Sequence, residues 1–243
     1  INESEKSLSA FYLLMNDIDL TAYLSEGGKG HNDGKGWDPI GSYQDVIDTN
    51  EATRYSFKGT FDGNGSVISG LSAKRKDVKS FNFGLFGYVT SSGIIRNLGV
   101  EGISESDEVD VNVSSYSGGF VGSNSGLIEN CYCNVNIEVL SGENAYRYVG
   151  GFAGSNFGII RNCYVIGKVS CDKEFGKIVG SNEGDVENCY SFEDDDCQTL
   201  IGIGFKPVNS ILFDTLDDME DFDFSSVFSS EHWSFKEELP SLH

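Results

Sequence analysis

Three acids in a row, Asp194, Asp195 and Asp196, could hold a hard cation such as calcium, which draws its oxygen ligands from carboxylates. The plainer reading of this run is a solvated, solubilising face. Asp17 and Asp19 form a second acidic pair, two residues apart, of the kind that cleaves glycosidic bonds when set across a groove. Neither group lies among the basic residues that an anionic sugar would need. Asp62-Gly63-Asn64-Gly65 opens like a calcium loop, but the twelfth position, where an EF-hand needs glutamate, is Ala73, so a tight turn is expected. The three histidines stand at 31, 232 and 243 with no HExxH, and neither GxSxG nor GxxxxGK[ST] occurs. No residue is therefore assigned as catalytic, and calcium is the one cofactor kept in view. A third candidate is aromatic: Tyr132, Tyr164 and Tyr190, whose rings could stack on sugars or meet a protein partner.

Those tyrosines belong to a repeat. GIIRNLGV at 93–100, GLIENCYC at 126–133, GIIRNCYV at 158–165 and GDVENCYS at 184–191 align on Asn97, Asn130, Asn162 and Asn188, spaced by 33, 32 and 26 residues. Repeats of this period signal a solenoid. Two places before each asparagine stand Ile95, Ile128, Ile160 and Val186, and one place after stand Leu98, Cys131, Cys163 and Cys189. Side chains alternate along a strand, and here the alternation changes phase at the asparagine. A corner in left-handed backbone, which asparagine tolerates, explains that change. The apolar columns then face inward, while the tyrosine column and the column Arg96, Glu129, Arg161, Glu187 face outward and exposed. Stacked asparagines can bond along the axis as amide ladders do. A second phrase, GLFG at 84–87, GFVG at 119–122, GFAG at 151–154 and KIVG at 177–180, supplies another strand per turn. The Ser-Asn pairs after it (Asn124, Asn156, Asn182), with Gly126, Gly158 and Gly184, read as turns in positive φ. The fold class expected is all-β: a parallel β-helix, right-handed, with irregular first turns over 1–80 and regular repeats over 81–197. Residues 198–243 are expected to form an acidic cap of the same domain, covering the last open rung.

Composition narrows the partners. The net charge is −21, and residues 183–243 hold 16 acids against Lys206 and Lys236 alone. Such a field disfavours nucleic acid and anionic membrane surfaces. No run of eighteen apolar residues exists to insert in a membrane, and the polar opening INESEKS reads as a trimmed or a mature start rather than a leader. The cysteines sit in columns that ask for small apolar fillers. Cys171 and Cys197, each nine residues after an asparagine, are the pair that neighbouring rungs could bridge. Open solenoid ends would allow end-to-end self-association.

The chain resembles the bacterial GLUG-motif proteins. The resemblance is carried by NDIDL at 16–20, WDPIG at 37–41, FKGTFDGNG at 57–65, NFGLFGYV at 82–89, GGFVGSNSGLIENCY at 118–132 and the closing WSF and LPSL within 233–242. It covers nearly the whole chain. It implies a secreted or cell-surface bacterial location and a non-catalytic, adhesin-like or stalk role toward a host or matrix protein or a glycan. The same motif is found in the non-catalytic region of IgA-cleaving metalloproteases. The alternatives are a polysaccharide-processing β-helix enzyme, or the non-catalytic N-terminal region of a larger surface protease.

Overall fold

A computed structural model describes residues 1–41, 55–74, 80–102, 114–139, 147–171, 174–194, 196–235 and 239–242. The protein is an all-β parallel β-helix, as the repeat predicts. Its largest sheet stacks Phe11–Leu13, Thr60–Asp62, Ile94–Gly102, Leu127–Asn134, Ile159–Val165, Asp185–Phe192 and Ile211–Phe213 in that order, every neighbour parallel. Ile18–Asp19 and Val67–Leu71 join its side, making nine strands. A second sheet stacks Phe86–Val89, Val121–Asn124, Ala153–Asn156, Val179–Asn182 and Ile201–Gly204. A third stacks Ser80–Phe83, Ser114–Gly118, Arg147–Gly150 and Glu174–Gly176. Each regular turn of the chain visits the third, second and first sheets in sequence.

The register follows the repeat. Ile128 pairs with Ile160 and Glu129 with Arg161; the ladder then steps over the asparagines to pair Cys131 with Cys163 and Tyr132 with Tyr164. Asn97, Asn130, Asn162 and Asn188 all adopt φ between 50° and 53°. This left-handed residue breaks the two-residue alternation, so Ile160 and Cys163, three apart, both reach the interior with no exposed surface. Leu98, Cys131, Cys163 and Cys189 form one fully buried file, and Val100, Cys133, Val165 and Ser191 another. Phe120 and Phe152 stack in the centre with centroids 4.5 Å apart. Each sits just before its strand, so only the second apolar residue of that phrase belongs to the second sheet.

The corner asparagines form the predicted ladder. The Asn188 amide donates to Asn162 at 3.1 Å, Asn162 to Asn130 at 3.2 Å, Asn130 to Asn97 at 3.3 Å and Asn97 to Asp62 at 3.1 Å. Asp62 thus begins the ladder as well as a tight turn, in which its carboxylate accepts the Asn64 amide. It also heads the charged column, accepting Arg96 at 2.8 Å, while Arg161 reaches Glu129 at 2.6 Å.

Asn124, Asn156 and Asn182 depart from expectation. They are strand residues with negative φ, fully buried, and form a second ladder of opposite polarity. Asn124 donates to Asn156 and Asn156 to Asn182, both at 2.9 Å, and Asn182 ends on the Phe205 carbonyl. Gly126, Gly158 and Gly184 are not in positive φ either. A Cβ on Gly158 would lie 2.2 Å from the Gly126 oxygen. Close approach of rungs, rather than turn geometry, requires glycine there.

The C-terminal segment also differs. Ile201–Gly204 and Ile211–Phe213 extend the second and first sheets beyond residue 197. The chain then turns back through the short helix Leu216–Glu220, which Thr215 caps, and ends in the antiparallel pair Trp233–Ser234 and Ser241–Leu242. This segment covers the flank of the solenoid instead of its end. Apolar side chains therefore remain exposed at both terminal rungs: Phe205 and Val208 at one, Phe11 and Met15 at the other.

Candidate functional site

The tyrosine column points away from the helix interior, as its phase demands, but it is not exposed. Tyr132, Tyr164 and Tyr190 are 8%, 3% and 1% accessible. Met219, Phe224, Phe228 and Trp233 of the returning segment pack over them as a second hydrophobic core. Tyr132 and Tyr164 stack at 5.2 Å, nearly parallel. Gly99, the first member of the column, leaves room for the Tyr132 ring, which a Cβ would meet at 2.4 Å. Tyr190 sits edge-on to Phe224 and Phe228. The hydroxyls are bonded too, Tyr132 to Glu101 at 2.8 Å and Tyr164 to the Pro240 carbonyl at 2.7 Å. Burial, then the neighbouring Glu101 charge, raises the Tyr132 phenol pKa; burial pushes that of Tyr190 up to about 12. What stays open of the column is a depression of about 270 Å³ lined by Tyr132 and Tyr164 against Leu239 and Pro240. The expected exposed ladder is corrected for a physical reason: a row of aromatic faces on a strand attracts the apolar face of an adjacent segment.

Asp194 has other partners than a metal. Its Oδ2 accepts the fully buried Lys177 ammonium at 2.5 Å, and its Oδ1 accepts the backbone amides of Asp196 and Cys197. Lys177 stands where earlier turns carry Gly119 and Gly151, and its ammonium also lies 4.8 Å from the centre of the Phe192 ring. Asp196 is exposed and Asp195 lies outside the described residues. Among the described residues, no group of three or more His, Cys, Asp or Glu side chains is placed to hold a metal ion. Asp17 and Asp19 each cap backbone, Asp17 accepting the Val67 amide and Asp19 that of Thr21; the Thr21 hydrogen bonds lower the Asp19 pKa. Cys171 and Cys197 remain thiols, as do the four cysteines of the core columns. Burial raises the thiol pKa of Cys133, Cys163 and Cys189.

One concavity among the described residues was not legible in the sequence. A recess of about 430 Å³ opens near the N-terminal end of the solenoid, between residues 1–3, the loop after Thr21–Leu24, and 36–40. Tyr23 and Trp37 supply aromatic surface, and Asn2, Glu3, Lys29 and Asp38 supply polar groups. Leu24 anchors the short helix in the core. The Gly30 amide closes the loop on the Tyr23 carbonyl at 2.9 Å, and a Cβ on Gly30 would lie 2.1 Å from the Tyr23 ring, so only glycine lets the ring lie against the loop. Trp37 is held to the solenoid by its amide on the Ser72 carbonyl and its indole NH on the Leu85 carbonyl at 3.1 Å. Asn2 clamps the far wall, donating to Pro39 and accepting from Gly41. These residues lie outside the repeat, and their contacts join segments far apart in the chain. The GW dipeptide at 36–37, a lone tryptophan after a glycine-rich stretch, was the available signal.

Residues 145–170 match the sequence profile of the GLUG motif. The chain carries a GLUG motif. In the structure that motif spans one full turn, from the third sheet at Arg147–Gly150 through Ala153–Asn156 and Ile159–Val165 to Val169–Cys171. The chain is 36% identical over 129 residues to a protein of Evansella cellulosilytica whose name describes it as a Gly-rich membrane protein; the match covers 53% of this chain and 12% of that one. It is 32% identical over 130 residues to halomucin of Haloquadratum walsbyi, covering 54% of this chain and 1% of halomucin. The chain thus spans only a small part of these relatives' length. No solved structure matches it. No helix among the described residues is long and apolar enough to cross a membrane.

Proposed function

We propose that this GLUG-bearing chain is a non-catalytic module of a cell-surface or secreted bacterial protein. In this reading it is adhesin-like, a stiff solenoid that recognises a host or matrix protein or a glycan, or spaces such a recognition element from the cell. The observation that carries the reading is the coincidence of one GLUG motif with one turn, stacked on its neighbours by two amide ladders. A chain built this way invests its regular part in a stiff surface rather than in a deep cleft. The names of the much longer relatives, one a membrane protein, support the surface location. A place in the non-catalytic part of a larger protein fits the small share of those relatives that the chain covers. The alternative, a polysaccharide-processing enzyme, loses support because Asp17 and Asp19 are engaged with backbone amides.

Antibody raised to the chain should label intact cells of its source bacterium, or its spent medium. Labelling only after lysis would refute the surface reading. The purified chain should show no turnover on a panel of plant and host polysaccharides; measurable cleavage would move the assignment to the enzyme alternative.

A further inference from the structure

We propose that the recess between Tyr23 and Trp37 binds a neutral pyranose ring, free or N-acetylated, at the end of a glycan. The inference rests on the recognition reading above and gives it a site and a ligand class. The recess, at about 430 Å³, falls in the ~300–1,000 Å³ range of small-molecule sites. A pyranose has one face of C–H groups and a rim of hydroxyls, each of which both donates and accepts. Tyr23, 46% accessible, and the partly buried Trp37 offer ring surface for the first. The Glu3 carboxylate and the Lys29 ammonium, together with Asp38, whose Oδ2 already accepts the Asn32 amide at 3.1 Å, supply acceptors and donors for the second. The walls are already set: the Tyr23 ring lies against Gly30, the indole NH is fixed on Leu85, and Asn2 is clamped to Pro39 and Gly41. Prior ordering of this kind lowers the entropic cost of binding a weakly held ligand. Charge selects the sugar. The chain carries a net charge of −21 and places Glu3 and Asp38 in the recess lining, which disfavours sialic and uronic acids.

The test uses the full chain with Trp233 replaced by Phe, so that Trp37 is the one fluorophore of its kind. Trp233 belongs to the flank segment, buried against Tyr164 and Phe228, and its indole NH makes no hydrogen bond among the described residues, so phenylalanine keeps an aromatic ring there without losing a polar contact. Methyl glycosides of neutral hexoses and of N-acetylhexosamines are titrated, with the methyl glycosides of sialic and glucuronic acid as the anionic set. The expected result is saturable change in Trp37 emission with at least one neutral glycoside, in the millimolar range usual for one ring. Tyr23→Ala and Gly30→Ala should each weaken that binding by about tenfold or more, with the circular dichroism spectrum unchanged. Because Tyr23 is half exposed, Tyr23→Ala keeps the test sound even if Gly30→Ala fails to fold. Saturation-transfer NMR on the unsubstituted chain provides a readout independent of fluorescence. Three results would overturn the inference: no neutral glycoside binds, the anionic set binds equally well, or binding survives both substitutions. In the last case glycan recognition stands and only the site is wrong. If no glycoside binds but a host protein does, the pyranose site falls and the surface-module reading survives.

Discussion

Asn162 offers the sharpest test of why the turns stay in register. It combines two features that can be separated by substitution: a φ of 53° and a place in the middle of the amide ladder, donating to Asn130 and accepting from Asn188. Asn162→Gly keeps the left-handed backbone without strain but removes both ladder bonds. At a net value of about 0.5–1.5 kcal/mol per bond, that costs roughly 1–3 kcal/mol, and glycine's extra chain entropy adds about 0.5–1 kcal/mol. Asn162→Ala loses the same bonds and keeps a Cβ in left-handed backbone without the amide that lets asparagine tolerate it, which costs about 1–2 kcal/mol relative to glycine. Without the glycine entropy, alanine should come out about 0.5–1 kcal/mol worse than glycine. Asn188, the last of the ladder, makes one such bond, to Asn162. Asn188→Gly should therefore lose about half of what Asn162→Gly loses in bonding. Urea unfolding followed by far-ultraviolet circular dichroism gives all four stabilities, with the slope checked for loss of two-state behaviour, since repeat arrays can uncouple. If Asn162→Gly matched the parent, the ladder bonds would be adding nothing. If alanine equalled glycine, the corner would not hold its left-handed conformation in solution. Either result would remove the asparagine corner as the cause of register.

The buried Lys177–Asp194 pair should be costly to break: Lys177→Ala leaves a carboxylate beside the core and should lower stability by about 3–5 kcal/mol in the same urea assay. Alkaline pH should destabilise the fold. Tyr190, raised to about 12, and the raised Cys133, Cys163 and Cys189 thiols hold protons more tightly folded than unfolded, so their contribution is complete below about pH 9 and declines as pH climbs toward 12, as urea midpoints would record. The same thiols should resist Ellman's reagent until urea is added. Tyr190→Ala should cost about 3–5 kcal/mol and make the segment after Phe213 an early target of limited proteolysis, because the flank packs on that ring. If the exposed edges Phe11–Leu13 and Ile211–Phe213 join copies end to end, light scattering should show larger species at high salt, where the mutual repulsion of chains at net charge −21 is screened.

The parts of this fold that could be read in advance are those where one residue's neighbour is its own counterpart a turn away. In a parallel stack the contacts of Ile160 are Ile128 and Val186, so column chemistry in the alignment is already contact chemistry in space. That is why the inward Cys column, the corner at Asn162 and the alternating Arg161–Glu129 file are all visible as letters. The second ladder is visible too, but its letters mislead: Asn and Gly close together suggest positive φ, and only the 2.2 Å approach of Gly158 to Gly126 shows that closeness sets those residues. The flank segment and the recess belong to the other class. Phe224 meets Tyr190, and Trp37 meets Leu85, through contacts that join unlike residues far apart in the chain, and no period announces them.

The same division governs where recognition can arise on a solenoid. A column copied from turn to turn yields a uniform surface, and its most sticky row, the tyrosines, has been used to seat the returning segment. Hydrophobic burial of that row stabilises the fold and at the same time removes it from the free binding surfaces. Distinct side chains can converge only where the repeat fails, and the Tyr23–Trp37 recess lies in such a stretch, braced against regular rungs through Ser72 and Leu85. A rigid repeat holding an irregular end gives the end its preorganisation. Weakening the rungs should therefore loosen the recess: Asn97→Gly, in the turn beside it, is expected to weaken any glycoside bound there, whereas Asn188→Gly, three turns away, is not. Equal effects of the two substitutions would argue that the recess is held by its own loop alone.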